Sequence, residues 1–177
     1  VQTGVEKLEE NKLNIQVIKP KLKHAQQIKD LLDYYSRQQI VLPRSIVDIS
    51  EKIRIFWIAV DTVTNEVVGC AGVQFYWDYR AEIKSLAVKK EYWGHGIGNT
   101  LVKKCIEEAK EFGVKKIFAL TYITDFFKKM GFEGISKNSL PQKIWTECIN
   151  CQHFPNCNED AVELILQDNQ EDNTRWI

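Results

Sequence analysis

Residues 81–112 read AEIKSLAVKKEYWGHGIGNTLVKKCIEEAKEF. A strand, a glycine loop and a helix follow one another in that order. Residues 81–88 alternate, with Ile83 expected on one face and Leu86 and Val88 on the other. Gly94, Gly96 and Gly98 come at every second position. Leu101, Val102, Cys105, Ile106, Ala109 and Phe112 then recur at helical spacing, and Gly113 stops the helix. Alternating glycines ahead of a helix let backbone N–H groups turn toward one point, where the helix dipole adds partial positive charge. Such a nest holds a phosphate or pyrophosphate without a basic side chain. Neither familiar nucleotide loop fits. Asn99 follows Gly98 where a P-loop needs Lys-Ser/Thr, and the spacing is G-x-G-x-G rather than G-x-G-x-x-G. The alternative is a glycine-rich turn with no ligand.

Upstream of this unit, residues 1–12 are polar and charged. Residues 14–19 alternate Ile15 and Val17 with polar neighbours and predict a first strand, ended by Pro20. Leu22, Ala25, Ile28, Leu31, Leu32 and Tyr35 predict a helix over 21–35. Ser45, with Asp48 three residues on, caps a second helix whose buried face is Ile46, Ile49 and Ile53. Residues 56–60 and 67–77 predict a strand pair, with 61–66 as the hairpin turn and Gly69 and Gly72 marking a bend or bulge.

Downstream, residues 116–122 predict a buried strand, 124–130 a short helix, 132–135 another strand, and 143–148 a last one. From residue 159 the chain is acidic and weakly periodic, so Val162, Leu164 and Ile165 suggest one short docking helix. The domain is expected over 14–159, with a linker or disordered N-terminus at 1–13 and an acidic tail at 160–177. Alternating strands and helices predict an α/β fold, a mixed sheet with helices on both faces.

The chain has 177 residues, of which 44% are hydrophobic, enough for one sizeable core. Its 24 basic and 24 acidic residues cancel, so no global field favours nucleic acid or a membrane surface. No apolar run approaches the ~20 residues of a membrane span, and none resembles a signal segment. The chain begins Val-Gln-Thr-Gly without Met, as a processed product or a domain of a longer polypeptide would. Five cysteines, two of them in core-like elements, indicate a reducing compartment, and a cytoplasmic location is expected.

The run S-L-A-V-x-x-x-Y-x-G-x-G-I-G-x-x-L, Ser85 to Leu101, resembles the acetyl-CoA signature of the GNAT acetyltransferase superfamily. That signature is Q/R-x-x-G-x-G/A after an aliphatic strand. Here Trp93 stands where Gln or Arg is usual and His95 where Arg is frequent, while Gly96 and Gly98 are in place. A second landmark, FFKKMGF at 126–132, resembles the family's F-Y-x-K-L-G-F. The resemblance implies a GNAT fold: a mixed, mostly antiparallel sheet of six to seven strands, splayed beside the glycine loop. It also implies acetyl-CoA as co-substrate, its pantetheine arm in the gap and paired with the edge of Leu86, Ala87 and Val88. Trp93, Gly94, His95, Gly96, Ile97, Gly98, Asn99, Thr100 and Phe127 complete the implied cofactor contacts.

Three further stretches, VLPRS at 41–45, AEIKSLAV at 81–88 and LPQKIWTEC at 140–148, narrow the likeness. Together they resemble the short bacterial N-acetylglutamate synthases and the acetyltransferase domain fused to argininosuccinate lyase. That likeness implies transfer of acetyl to the α-amine of L-glutamate. Arg44 matches a family arginine that holds a glutamate carboxylate, a role a guanidinium fork suits. Lys84 and Lys143 are candidates for the second carboxylate. The acceptor amine is protonated at neutral pH, so a base must act first. Glu82 occupies the position of a family catalytic glutamate, and the N–H near Val88 would polarise the thioester carbonyl. The usual tyrosine that protonates the leaving thiolate is replaced by Phe127, so Tyr122 or solvent must serve.

Other readings stay open at this point: acetylation of a protein N-terminus, a lysine or another small amine, or a catalytically weak domain that senses acetyl-CoA. The partners expected are small molecules, in a monomer or homodimer, with no nucleic acid and no membrane. Cys148, Cys151, His153 and Cys157 are spaced C-x2-C-x-H-x3-C, a donor set that can hold zinc. One ten-residue loop is cramped for that, and packed free thiols are the alternative. No metal is assigned.

Overall fold

The computed structural model describes residues 13–140 and 159–166. Seven strands form one sheet: β1 Ile15–Ile18, β2 Phe56–Asp61, β3 Glu66–Phe75, β4 Arg80–Val88, β5 Lys116–Thr121, β6 Glu133–Ile135 and β7 Asp160–Ile165. Four α-helices accompany them: α1 Ala25–Ser36, α2 Ile46–Glu51, α3 Ile97–Glu111 and α4 Thr124–Lys129. The strand order is β1-β2-β3-β4-β5-β7-β6. Every pairing is antiparallel except β4 with β5. The expected mixed, mostly antiparallel α/β sheet is therefore present.

The two faces of the sheet carry separate cores, as the period of two along a strand requires. Phe56, Ile58 and Val60 of β2 pack with Ile28, Leu32 and Tyr35 of α1 and Ile49 of α2. The alternate residue Ala59 packs instead with Leu101, Val102 and Cys105 of α3. Ser45 caps α2 as its sequence predicts, Oγ accepting from the N–H of Asp48 at 3.0 Å. The first helix starts later than its apolar stripe suggests, because residues Leu22–His24 make a 3-10 turn before Ala25.

Gly69 and Gly72 flank two register shifts, one opposite Ala59/Val60 and one between Cys70 and Gly72. A Cβ on Gly69 would meet Leu101 at 3.1 Å and Ile97 at 3.3 Å, so glycine lets α3 lie close on β3. At the second shift, two residues of β3 oppose three of β4: Cys70 pairs with Ala87 but Gly72 with Lys84. Ser85, at φ +55°, is the extra residue, a left-handed bulge. This overturns the expected facing of β4. Ile83, Leu86 and Val88 all pack against the α3 core, because the bulge resets the alternation.

Residues 160–165 are a strand, not a docking helix. β7 lies inside the sheet, paired along its whole length with β5 and also with β6. Ala161 and Val162 are both buried, on opposite faces, so apolar residues recur with period two rather than helical spacing. The acidic tail expected from residue 160 thus begins within the sheet. The strand expected at 143–148 lies outside the described residues. Among the described residues, no helix is long and apolar enough to cross a membrane.

Candidate active site

β4 and β5 pair in parallel only at Arg80–Glu82 with Lys116–Phe118. Beyond Glu82 the two strands part, and a cleft of about 560 Å³ opens between them. The edge of β4 at Leu86, Ala87 and Val88 lines one side, and Ile123 and Phe126 line the other. The glycine loop closes one end with Trp93, Gly94, Gly96, Ile97, Gly98 and Asn99. Gly94 and Gly96 sit at φ +81° and +75°, conformations that side chains rarely adopt. No atom lies within 4 Å of where their Cβ atoms would be, so the loop faces open space. No side chain caps α3, leaving its first N–H groups directed at the loop. An apolar slot running to a helix N-terminus fits a pantetheine arm followed by a pyrophosphate.

Of the cofactor positions expected from sequence, nine line this cleft. His95 and Thr100 do not. Thr100 lies on α3 and its Oγ1 donates to the Gly96 carbonyl at 3.0 Å. Phe127 is a correction. It is 2% exposed and packs edge-on against Phe126 and Phe132 in the core under α3, so the preceding Phe126 faces the cleft instead. Tyr122 follows β5, is 43% exposed, and is not among the lining residues.

Other lining residues escaped the sequence reading. Tyr34, Tyr35, Gln38 and Ile40 come from the end of α1 and the turn after it, and Lys90 and Tyr92 from the turn before the loop. Tyr35 reads as an ordinary member of the α1 stripe. Its signal was the hydroxyl, which needs a partner when buried. It donates to the Val88 carbonyl, which also accepts from Trp93 Nε1 at 2.8 Å. Burial pushes the Tyr35 phenol above its ordinary value, with Trp93 acting in the opposite sense.

The opposite face of β4 from α3 carries the ionisable residues. Glu82 is 6% exposed, and its Oε2 accepts from the Tyr76 hydroxyl at 2.7 Å. Lys84 Nζ donates to Gln74 Oε1 at 2.7 Å. Arg44, ahead of α2, has a side chain only 8% exposed. Its Nε donates to Ser85 Oγ at 2.9 Å and its Nη1 to Asp48 Oδ2 at 2.6 Å. Burial pushes the Asp48 carboxyl up, but Lys52 and Arg44 outweigh it and hold it below the ordinary carboxylate value. Cys70 also grips the bulge: its thiol donates to the Ser85 carbonyl at 3.3 Å and is pushed up to about 12 by burial. Lys143 and the cluster Cys148, Cys151, His153 and Cys157 lie outside the described residues.

The splayed sheet, the glycine loop and the start of α3 that form this cleft all lie within the span matched by a known family. The family model for the acetyltransferase (GNAT) family matches residues 25–132, and the chain belongs to that family. It is an N-acetyltransferase with acetyl-CoA as co-substrate. An uncharacterized N-acetyltransferase of Chlorobaculum tepidum is 40% identical over 146 residues, 82% of this chain and 93% of that protein. The amino-acid acetyltransferase of Mycobacterium tuberculosis is 31% identical over 121 residues, 68% of this chain and 69% of the relative. Among solved structures, a Mycobacterium tuberculosis protein in complex with CoA and NLQ superposes with a TM-score of 0.75 at 26% identity, covering 86% of this chain and 99% of that one. The N-acetylglutamate synthase of Neisseria gonorrhoeae, complexed with coenzyme A and N-acetyl-glutamate, gives 0.78 at 22% identity. That match spans 86% of this chain and 35% of the synthase, and it shows likeness of fold.

Proposed function

We propose that the chain acetylates the α-amine of L-glutamate, forming N-acetylglutamate as the first step of arginine biosynthesis. The observation that carries this reading is the charge arrangement on one face of β4. A buried carboxylate, Glu82, and a cation, Lys84, stand on the face where Arg44 anchors to the bulge. The 31% identical amino-acid acetyltransferase supports the same substrate class.

Glu82 takes a proton from the acceptor ammonium, directly or through water. The freed nitrogen attacks the acetyl carbonyl. An N–C bond forms, the C–S bond breaks, and coenzyme A leaves as a thiolate. The nitrogen then sheds its second proton to solvent, and Tyr122 or solvent gives one to the sulfur, so amide, thiol and the proton on Glu82 complete the balance. The edge of β4 at Val88 supplies backbone N–H polarisation of the carbonyl. Arg44 and Lys84 hold the acceptor carboxylates. Arg44 offers Nη2, which makes no hydrogen bond with the described residues.

The test is coenzyme A release from acetyl-CoA with each amino acid in turn. Glutamate should turn over, and Glu82→Gln should abolish turnover. Arg44→Lys keeps the charge but loses the fork, so KM for glutamate should rise about tenfold or more with a smaller change in kcat. Unchanged glutamate kinetics in Arg44→Lys would remove Arg44 from the acceptor site.

A further inference from the structure

The carboxylate of Glu82 is held by a residue that no motif marks. β3 and β4 pair so that Gln74 stands directly opposite Glu82, and Gly72 opposite Lys84. Side chains on this face therefore meet their diagonal neighbours. Gln74 reaches Lys84, and Tyr76, just past the end of β3, reaches Glu82. The Tyr76 N–H also donates to the Arg80 carbonyl at 2.8 Å, which fixes the backbone from which the phenol projects. Its ring lies 5.9 Å from that of Phe118, tilted by 32°, and Phe118 is fully buried and in register with Glu82 on β5. The phenol is thus held by backbone, by ring packing and by its bond to the carboxylate.

We infer that Tyr76 is a positioning residue for Glu82: its hydroxyl fixes the carboxylate's orientation and keeps it in the ionised, proton-accepting form. This rests on the reading of Glu82 as the base. An O–H donor stabilises a carboxylate and cannot serve the neutral acid equally well. The proton that Glu82 accepts comes from the acceptor amine, and the tyrosine keeps its own. Surroundings make such support necessary. The charged groups that strand register and neighbouring turns bring to this face include Arg80 and Lys84 on β4, Lys116 on β5, Glu163 on β7 with Glu133 beside it on β6, Glu159 just ahead of β7, Lys137 in the turn at 137–139, and Arg44 beyond the bulge. Arg80 is committed to Asp78 and to the Ser139 carbonyl. Glu159 is within electrostatic reach of Glu82; burial pushes its carboxyl up, Lys137 draws it down, and Glu82 adds like-charge repulsion. The same repulsion acts back on Glu82, and the phenol opposes it.

Tyr76→Phe tests this, because it removes one oxygen and keeps the ring against Phe118. Side-chain carboxylates are followed by carbon-13 NMR through a pH titration, with Glu82→Gln assigning the resonance. The midpoint for Glu82 should move up by about one pH unit in Tyr76→Phe, the size expected for losing a hydrogen bond to a charged group. The acid limb of kcat/KM for glutamate should move the same way, with rates about tenfold lower below the limb and KM little changed. Phe118→Leu loosens the packing but keeps the hydroxyl, so it should lower Tm while moving both midpoints much less than Tyr76→Phe does. An unmoved Glu82 midpoint in Tyr76→Phe, or an equal shift in Phe118→Leu, would overturn the inference. Full turnover in Glu82→Gln would instead overturn the base assignment, a failure the NMR titration tells apart because it needs no acceptor.

Discussion

The Val88 carbonyl points toward the side of β4 that β5 leaves unpaired, and two side chains already donate to it. One is the phenol of Tyr35 from below and the other the indole of Trp93 from the glycine loop. Trp93 stands where the family signature has Gln or Arg, and it is 56% exposed in the cleft wall. The pantetheine arm carries two amides, and any N–H of that arm competes with the indole for this oxygen. Trp93→Phe keeps an aromatic wall and removes the competing donor. A neutral hydrogen bond contributes about 1 kcal/mol net, so coenzyme A should bind roughly fivefold tighter to Trp93→Phe, read by titration calorimetry. Weaker binding would show that the indole contacts the cofactor rather than competing with it.

At the scale of the element, α1 delivers Tyr35 to that carbonyl, and the turn that starts α1 depends on a neutral histidine. His24 Nδ1 accepts from the Lys21 N–H at 2.9 Å, which an imidazolium cannot do. Burial, followed by the charge of Lys23, pushes His24 below its ordinary 6.5. The folded state thus holds the neutral form more firmly than the unfolded chain does. The stability this gives is complete above 6.5 and is lost as pH falls toward the lower folded value. With three histidines in the chain, a single variant isolates the effect. Wild type should lose Tm between pH 7 and 5, and His24→Gln should show a flatter decline. Equal slopes would place the acid sensitivity elsewhere. The elements themselves differ in how plainly the sequence announces them. The glycine loop, α3 and the Ser45 cap follow from backbone rules that act over a few residues. The bulge at Ser85 does not, because serine is no bulge signal and what holds it is distant: Arg44 lies 41 residues away and Cys70 lies 15 away. Phe126 and Phe127 show the same limit. Adjacent identical rings leave it to the packing of α4 to decide which enters the cleft.

For the whole molecule, the same distinction decides the C-terminal end. Residues 159–166 are short, acidic and preceded by a cysteine-rich run, and nothing local separates a half-buried strand from a frayed helix. What makes them a strand is the unpaired edge of β5, formed by residues some forty positions earlier. β7 fills that edge and offers its own to β6, so it bridges the two parts of the sheet beside the cleft. Val162 is fully buried there, in one core with Leu101, Val102 and Phe127. If β7 were a peripheral appendage, trimming Val162 would cost almost nothing. As a central strand it should cost about 2 kcal/mol, from lost transfer energy plus the cavity left behind. Val162→Ala should therefore lower the denaturant midpoint without changing the slope, in equilibrium unfolding followed by tryptophan fluorescence. Ile165→Ala supplies the comparison, since Ile165 on the same strand is largely exposed and should change stability by less than about 0.5 kcal/mol. A large Val162 effect beside a small Ile165 effect fits only a strand with one residue in the core and the other in solvent. Because the cleft-lining Ile97 and Phe126 belong to or pack against the same core, Val162→Ala should also weaken coenzyme A binding.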